Sequence, residues 1–153
     1  MRDARQQEVA IEPALRDAEA IVGRAEEDER AARDARARYR DGGLPILEPD
    51  DHVAAALRAG ESVVEMRQAV TVGRLAADAD PETFAGRLYL TTARLILLGK
   101  AALNIELSEI EELALAGDRL LVRLNDGTGL DIDAGGPRLL RVQVAAARAA
   151  VRG

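Results

Sequence analysis

The chain has 153 residues and a formal net charge of -6, and 48% of its residues are hydrophobic, almost all of them aliphatic. A chain of this length is expected to form one domain with a real core. The acidic charge argues against a general attraction to nucleic acid or anionic membrane, and the absence of Cys excludes disulfides, Cys-based zinc sites and thiol nucleophiles.

No apolar run approaches the length of a membrane span, roughly 18 to 20 residues, and residues 1–10 are polar. We therefore expect a soluble cytoplasmic protein without a signal peptide.

The chain divides into three parts. Residues 1–41 are predicted to be a charged helical extension, with one helix over residues 12–40 that has Pro13 in its first turn. Residues 42–60 are a linker with a short helix, capped by Asp50 or Asp51 and ended by Gly60, whose inner face holds Val53, Ala56 and Leu57. Residues 61–153 are rich in predicted strands.

The first half of the N-terminal helix carries a heptad-like seam of Ile11, Leu15, Ala18 and Val22. Two interpretations stay open: a docked or free-standing helix, and self-association through this seam. We interpret the second half of the helix as a solvated face, because it carries favourable i,i+4 pairs of opposite charge.

From Glu61 the apolar period changes to two, which is typical of half-buried strands. The first strand should place Val64, Met66, Val70 and Val72 on one face. The polar residues 74–85 are predicted to be a loop, and residues 108–112 fit either a helical turn or continued strand. The predicted strands are about seven, near residues 61–72, 86–91, 94–99, 103–107, 113–115, 120–124 and 130–132.

A C-terminal helix is predicted from Pro137 to about Val151, with Leu140, Val144, Ala147 and Val151 on its buried face. Gly135 and Gly136 precede it, and the N-terminus of this helix could bind an anion weakly.

The segment GRLYLTTARLILL, residues 86–98, resembles the strand-turn-strand motif of GRAM and bacterial PH-like (pleckstrin-homology) domains. The segment IELSEIEEL, residues 105–113, resembles the strand that follows it. The resemblance implies an α+β protein, in which a small PH-like antiparallel β-barrel of about seven strands, capped by a C-terminal helix, forms residues 61–153 after the long charged N-terminal helix.

Lipid-binding PH domains use Lys and Arg around their first hairpin loop, whereas residues 74–86 here hold Asp78, Asp80 and Glu82. The resemblance therefore does not extend to headgroup binding at that loop.

The sequence offers little catalytic chemistry. His52 is the only His, so neither a His-based zinc site nor a Ser-His-Asp triad can form. Five carboxylates could in principle act as acid/base groups or bind a cation, but we interpret them as solvated charges at sheet edges. They are Glu109, Glu111, Glu112, Asp131 and Asp133. We predict no catalytic residue, no metal and no cofactor.

The last helix carries a basic stripe of Arg138, Arg141, Arg148 and Arg152. It fits a solvated flank, or a docking strip for an acidic partner such as residues 26–29 of the same chain or a neighbouring one. We expect a non-enzymatic protein-interaction or scaffold module, acting on a protein partner or on itself as a homodimer and not on nucleic acid. The alternative is a peripheral membrane module that binds anionic lipid headgroups through Arg87, Arg94 and the stripe.

Overall fold

A computed structural model describes the backbone of residues 2–152 and the side chains of residues 13–152. The helices are α1 (Arg2–Gly42), α2 (Asp51–Ala54) and α3 (Pro137–Arg152), with a 3-10 turn at Leu107–Glu109. The strands are β1 (Val63–Ala76), β2 (Ala79–Thr91), β3 (Arg94–Gly99), β4 (Leu103–Glu106), β5 (Ile110–Ala116), β6 (Arg119–Leu124) and β7 (Gly129–Asp133).

The protein is α+β. In chain order, a long N-terminal helix is followed by one antiparallel sheet and then by a C-terminal helix. The seven strands pair in the order β4-β3-β2-β1-β7-β6-β5. No ladder within residues 2–152 joins β4 to β5, so the sheet has two edges and its closure into a barrel stays a prediction. None of the described helices is both long enough and apolar enough to cross a membrane.

α1 is longer than predicted. It begins at Arg2 instead of Glu12, and Pro13 lies inside it, where the proline ring removes one backbone hydrogen bond. The residues before Pro13 are mostly Arg, Gln, Glu and Ala, which favour helix. α1 ends at Gly42, and the next residue, Gly43, has a φ of 77°, which glycine adopts most easily, and donates its N–H to the carbonyl of Tyr39.

α2 is shorter than predicted but is capped as expected. The side chain of Asp50 accepts hydrogen bonds from the N–H groups of His52 and Val53. The helix ends at Ala54, so Ala56 is exposed, while Val53 is buried and Leu57 packs against it.

The prediction that Met66 shares a face with Val64, Val70 and Val72 is wrong. Register shifts interrupt the pairing of β1 with β2 on both sides of Met66, and Ala69 in the second shift has a φ of 56°. Each such irregularity exchanges the faces of the residues that follow. Met66 therefore packs with the cluster under α2 and not with the main core.

Residues 74–85 do not form the predicted loop. β1 continues to Ala76 and β2 starts at Ala79, so the two strands make one long hairpin with a tight turn. Cross-strand pairs such as Arg74 with Glu82 run to its tip. Pairing between neighbouring backbones outweighs the low strand propensity of the Asp, Pro and Ala residues. The ambiguous residues 108–112 divide between the 3-10 turn and β5.

The main core lies between the sheet and α3, which contributes Leu140, Val144 and Ala147 as predicted. Val151, the fourth residue predicted for this face, is 44% exposed because it lies in the last turn of the helix. A second cluster covers the other face of β1, β2 and β3, where Val63, Tyr89 and Ile96 pack beneath Val53 of α2.

Candidate functional site

The first half of α1 exposes large apolar side chains. Leu15, Ile21 and Val22 are 56%, 59% and 56% exposed, and every residue from 13 to 22 is classed as exposed. At about 100° per residue, these three and Ala18 lie within an arc of about 120°. We call these four residues the apolar strip. It includes three of the predicted self-association residues, while the side chain of the fourth, Ile11, lies outside the described residues.

The second half of α1 packs on α3, so its interpretation as a solvated face is wrong. Ala32 and Ala35 are buried against Val142, with Tyr39 and Leu139 at the margin. Small alanine side chains let the two helices approach closely, and the Ala spacing did not reveal this because alanine is common on solvated faces as well.

Asp28 joins the two helices. One of its carboxylate oxygens accepts from the backbone N–H of Arg138 at 2.8 Å and the other accepts from that of Leu139 at 3.0 Å. These N–H groups, in the first turn of α3, have no partner within the helix, and the helix dipole favours a negative charge beside them. The anion site predicted at this N-terminus is therefore filled by the chain's own carboxylate, which we call the Asp28 latch.

Arg67 secures the loop that precedes α3. Its guanidinium donates hydrogen bonds to the carbonyls of Gly135 and Gly136, the latter at 3.1 Å. Burial lowers the pKa of Arg67, and the carboxylates of Glu65 and Asp28 partly oppose this shift. A Cβ on Gly136 would lie 3.1 Å from the Arg67 guanidinium, so glycine keeps this contact close.

The predicted basic stripe is divided among different contacts. Arg138 pairs with Glu29 of α1 at 3.1 Å. Arg148 and Arg152 donate to the carbonyls of Glu111 and Ile110 at the start of β5, at 3.1 and 3.2 Å. Arg141 makes no hydrogen bond or ion pair with residues 13–152. Only part of the stripe is thus available to a partner.

A groove of about 790 Å³ lies between α1, α3 and β5. Arg141 and Arg148 of α3 line it together with Arg36 and Arg40 of α1. Arg36 and Arg40 also have no hydrogen bond or ion pair within residues 13–152. We call Arg36, Arg40, Arg141 and Arg148 the basic rim of this groove.

Arg94 is buried in a hydrogen-bonded network at the turn between β2 and β3. It pairs with Glu61 at 2.9 Å and donates to Asn104 at 3.0 Å. The Thr91 hydroxyl donates to Glu61 at 2.6 Å. Burial raises the pKa of Glu61, but the hydrogen bonds from Arg94, Thr91 and the Arg58 backbone outweigh it and lower the pKa to about 2.

A second network links the linker to the outer face of β2. The Tyr89 hydroxyl donates to Asp50 at 2.6 Å, and Arg87 lies 3.6 Å from the same carboxylate. The hydrogen bond from Tyr89 lowers the pKa of Asp50, while burial and this hydrogen bond raise the pKa of Tyr89. Arg87 and Arg94, predicted as headgroup ligands in the alternative function, are thus paired with the carboxylates of Asp50 and Glu61, respectively.

The other carboxylates considered as ligands lie at the sheet surface. Arg123 pairs with Glu111 at 3.7 Å and with Glu112 at 2.6 Å, and Arg119 pairs with Asp131 at 2.9 Å. Within the part of the chain that the structure describes, no three His, Asp or Glu residues come together as a metal site.

No protein-family model matches the sequence, and no curated protein matches it. Among solved structures, the chain is similar to the crystal structure of the C-terminal domain of an unknown protein from Leishmania infantum. The TM-score is 0.41 and the sequence identity 18%, over 57% of this chain and 87% of that chain. A similarity of this size supports no conclusion about family or function.

Sequence reasoning did not find Arg36 and Arg40 as members of the basic rim. Their spacing of four residues places them on one side of α1, which the sequence does show. Whether they lie close to Arg141 and Arg148 depends on how α1 packs on α3. In the sequence, the acidic run 26–29, which contains Asp28, was the feature that pointed to this packing.

Proposed function

We propose that the protein is a non-enzymatic protein-interaction module that self-associates through the apolar strip of α1. The observation that carries this proposal is the exposure of Leu15, Ile21 and Val22, each more than half exposed on one side of the helix. Burying such side chains stabilises an interface by roughly 1.5 to 3 kcal/mol each, reduced by the part already covered.

A second copy of α1 is the partner that fits this strip. Leu15, Ala18, Val22 and Ala25 recur at spacings of three and four, the pattern by which two helices pack along a common seam. Glu19 and Glu26 flank only one side of the strip. An antiparallel pair would bring these like charges together, so the proposed dimer is parallel.

The proposed scaffold is a PH-like barrel. Seven antiparallel strands followed by one packed helix agree with the order expected from the resemblance of residues 86–98 and 105–113. In such a barrel, β4 and β5 lie near enough to each other to enclose the core. The strand order alone does not demand this arrangement.

Membrane binding has less support than protein interaction. Arg94 is 8% exposed and paired with Glu61, and Arg87 and Arg138 pair with Asp50 and Glu29. These guanidinium groups would have to exchange intramolecular carboxylates for lipid phosphates.

Light scattering of the full-length chain tests self-association, at about 100 µM, well above a micromolar dimer Kd. Wild type should have the mass of a dimer. The double variant L15E/V22E places charges in the seam and should raise the dimer Kd by at least about 100-fold, so that at least about half of the protein is monomeric at this concentration.

The matched control is A20E, which adds the same side chain on the opposite side of the helix, where Ala20 is exposed. It should remain a dimer. A wild-type monomer at this concentration, or a dimer that L15E/V22E leaves intact, would refute the proposed interface.

A further inference from the structure

The groove between α1, α3 and β5 runs beside an unpaired sheet edge. β5 is the last strand of the sheet and pairs only with β6. Arg148 and Arg152 occupy the carbonyls of Glu111 and Ile110 at its start. Beyond Glu111, no other strand or side chain of residues 13–152 hydrogen-bonds the outer side of β5. Its backbone therefore offers donors and acceptors to an added strand.

The charge of the groove is positive although the whole chain is acidic. Glu111 and Glu112 lie at its margin, but Arg123 of the neighbouring strand pairs with both. The basic rim faces them with three guanidinium groups that have no partner within residues 13–152. The fourth, that of Arg148, has a buried Nε–H without an acceptor. Guanidinium groups without an intramolecular partner can donate charge-assisted hydrogen bonds to the carboxylates of a ligand.

The floor of the groove is made of small side chains. Ala145, Ala146 and Ala149 of α3 line it between the basic side chains. They leave room for apolar side chains of modest size. In an extended segment, successive side chains point to opposite sides, so acidic and apolar residues can alternate between rim and floor.

We propose that this groove binds an acidic extended segment of a partner protein, which adds to β5 as a further strand. The backbone of β5 holds the segment by ladder hydrogen bonds, and the basic rim selects its carboxylates. This surface is separate from the apolar strip, so a dimer can bind one segment on each protomer.

The groove depends on the docking of α1. Arg36 and Arg40 belong to α1, whereas Arg141 and Arg148 belong to α3, and the Asp28 latch holds the two helices together. Ligand binding and helix docking therefore stabilise each other, because linkage between two equilibria is reciprocal.

The test uses the full-length chain and a short fluorescein-labelled peptide that alternates glutamate and valine. Fluorescence anisotropy at low salt should give saturable binding with a Kd below about 100 µM. The variant R36E/R141E should weaken binding at least about tenfold, whereas R30E/R33E, with the same change of charge on exposed positions of α1, should change it less than about threefold. Circular dichroism melts should show that both variants fold.

Two further probes separate strand addition from simple charge attraction. A peptide that alternates glutamate and proline keeps the carboxylates, but proline has no N–H to donate and its fixed φ disfavours a ladder strand, so this peptide should bind at least about tenfold more weakly. Phosphatidylglycerol vesicles are the second probe, and wild type and R36E/R141E should not differ in their binding to these vesicles. The proposal is overturned by no saturable peptide binding up to about 1 mM, by equal affinity for the proline peptide, or by vesicle binding that depends on the basic rim.

Discussion

Thr91 and Arg94 are two of the polar residues of segment 86–98, and both have structural roles. The Thr91 hydroxyl accepts hydrogen bonds from the N–H groups of Ala93 and Arg94, which close the turn between β2 and β3. Arg94 and Thr91 then bind the Glu61 carboxylate, which lies just before β1. A residue outside the motif therefore completes the network, and the motif alone did not predict it.

Replacing Glu61 by Gln is expected to lower the free energy of unfolding by about 3 kcal/mol at pH 7, because it leaves the buried Arg94 without its carboxylate. The pKa of Glu61 is about 2 in the folded state, compared with 4.5 for an unperturbed glutamate. The stabilisation from this carboxylate is thus fully present above pH 4.5 and is lost as pH falls towards about 2.

Urea unfolding of wild type and E61Q from pH 7 to pH 2.5 measures this effect. The difference between them should shrink as the pH falls below about 4.5. Exposed Glu48 supplies the control E48Q, which should differ from wild type by less than about 0.5 kcal/mol. A difference for E61Q that does not depend on pH would contradict the assigned network.

Replacing Ala69 by Gly is expected to raise the free energy of unfolding by about 1 kcal/mol. Ala69 has a φ of 56° and an exposed side chain, so its Cβ adds strain and little packing. Ala77, at the tip of the β1–β2 hairpin, is also exposed but is not among the residues of positive φ. A77G should therefore be neutral or destabilising in the same urea titration. If A69G and A77G shift the midpoint of urea unfolding by the same amount, the backbone at Ala69 is not strained.

At the scale of elements, α1 has two halves with different surroundings. The docked positions of the second half recur at spacings of four and three; they are Asp28, Ala32 and Ala35, which are buried, and Tyr39, which is partly buried. The apolar strip of the first half is centred about 70° away around the helix, and about 40° of this is the drift of a seven-residue repeat over two heptads. The sequence pattern predicted a seam in the first half and a solvated face in the second, whereas it is the second half that packs on α3.

Removing the carboxylate of Asp28 is expected to weaken the docking of α1 by about 1 to 2 kcal/mol, because two N–H groups of α3 lose their acceptor. Hydrogen exchange of full-length D28A should show faster exchange in residues 28–40 than wild type, with the strands unchanged. D34A is the control, since Asp34 is exposed on the same helix. Equal exchange in D28A and wild type would mean that the latch does not hold the helix.

At the scale of the whole molecule, α1 extends well beyond the surface that holds it. Its 41 residues correspond to about 60 Å, whereas the 16 residues of α3 correspond to about 24 Å. The docked half and the groove therefore belong to the folded body, and the half with the apolar strip is exposed beyond them.

Protection of the first half of α1 should depend on protein concentration. A helix without tertiary contacts is marginally stable in water, so amides of residues 13–22 should exchange rapidly in dilute protein. If α1 pairs with a second copy, their protection should rise with concentration, whereas amides of β1, β2 and β3 should be protected throughout. Hydrogen exchange with mass detection at about 1 and 100 µM measures this, and concentration-independent exchange in residues 13–22 would contradict pairing.

The sequence by itself determined the strand faces around Leu88 and Leu90, the turn at Gly117 and the start of α3 at Pro137. These features depend on local chemistry: the two-residue period of a half-buried strand, the conformational freedom of glycine and the fixed φ of proline. They can be read within a few neighbouring residues.

The tertiary structure alone decided which half of α1 packs on α3, which residue fills the N-terminus of α3 and which arginines line the groove. Asp28 and Arg138 are 110 positions apart, and the opposite charges of their segments did not show which carboxylate would bind the first turn of α3. Likewise, irregular pairing of β1 with β2 places Met66 on the opposite face of the sheet from the one that the sequence predicted. Contacts between distant segments decide such features because the free energy of burial and hydrogen bonding depends on which surfaces meet.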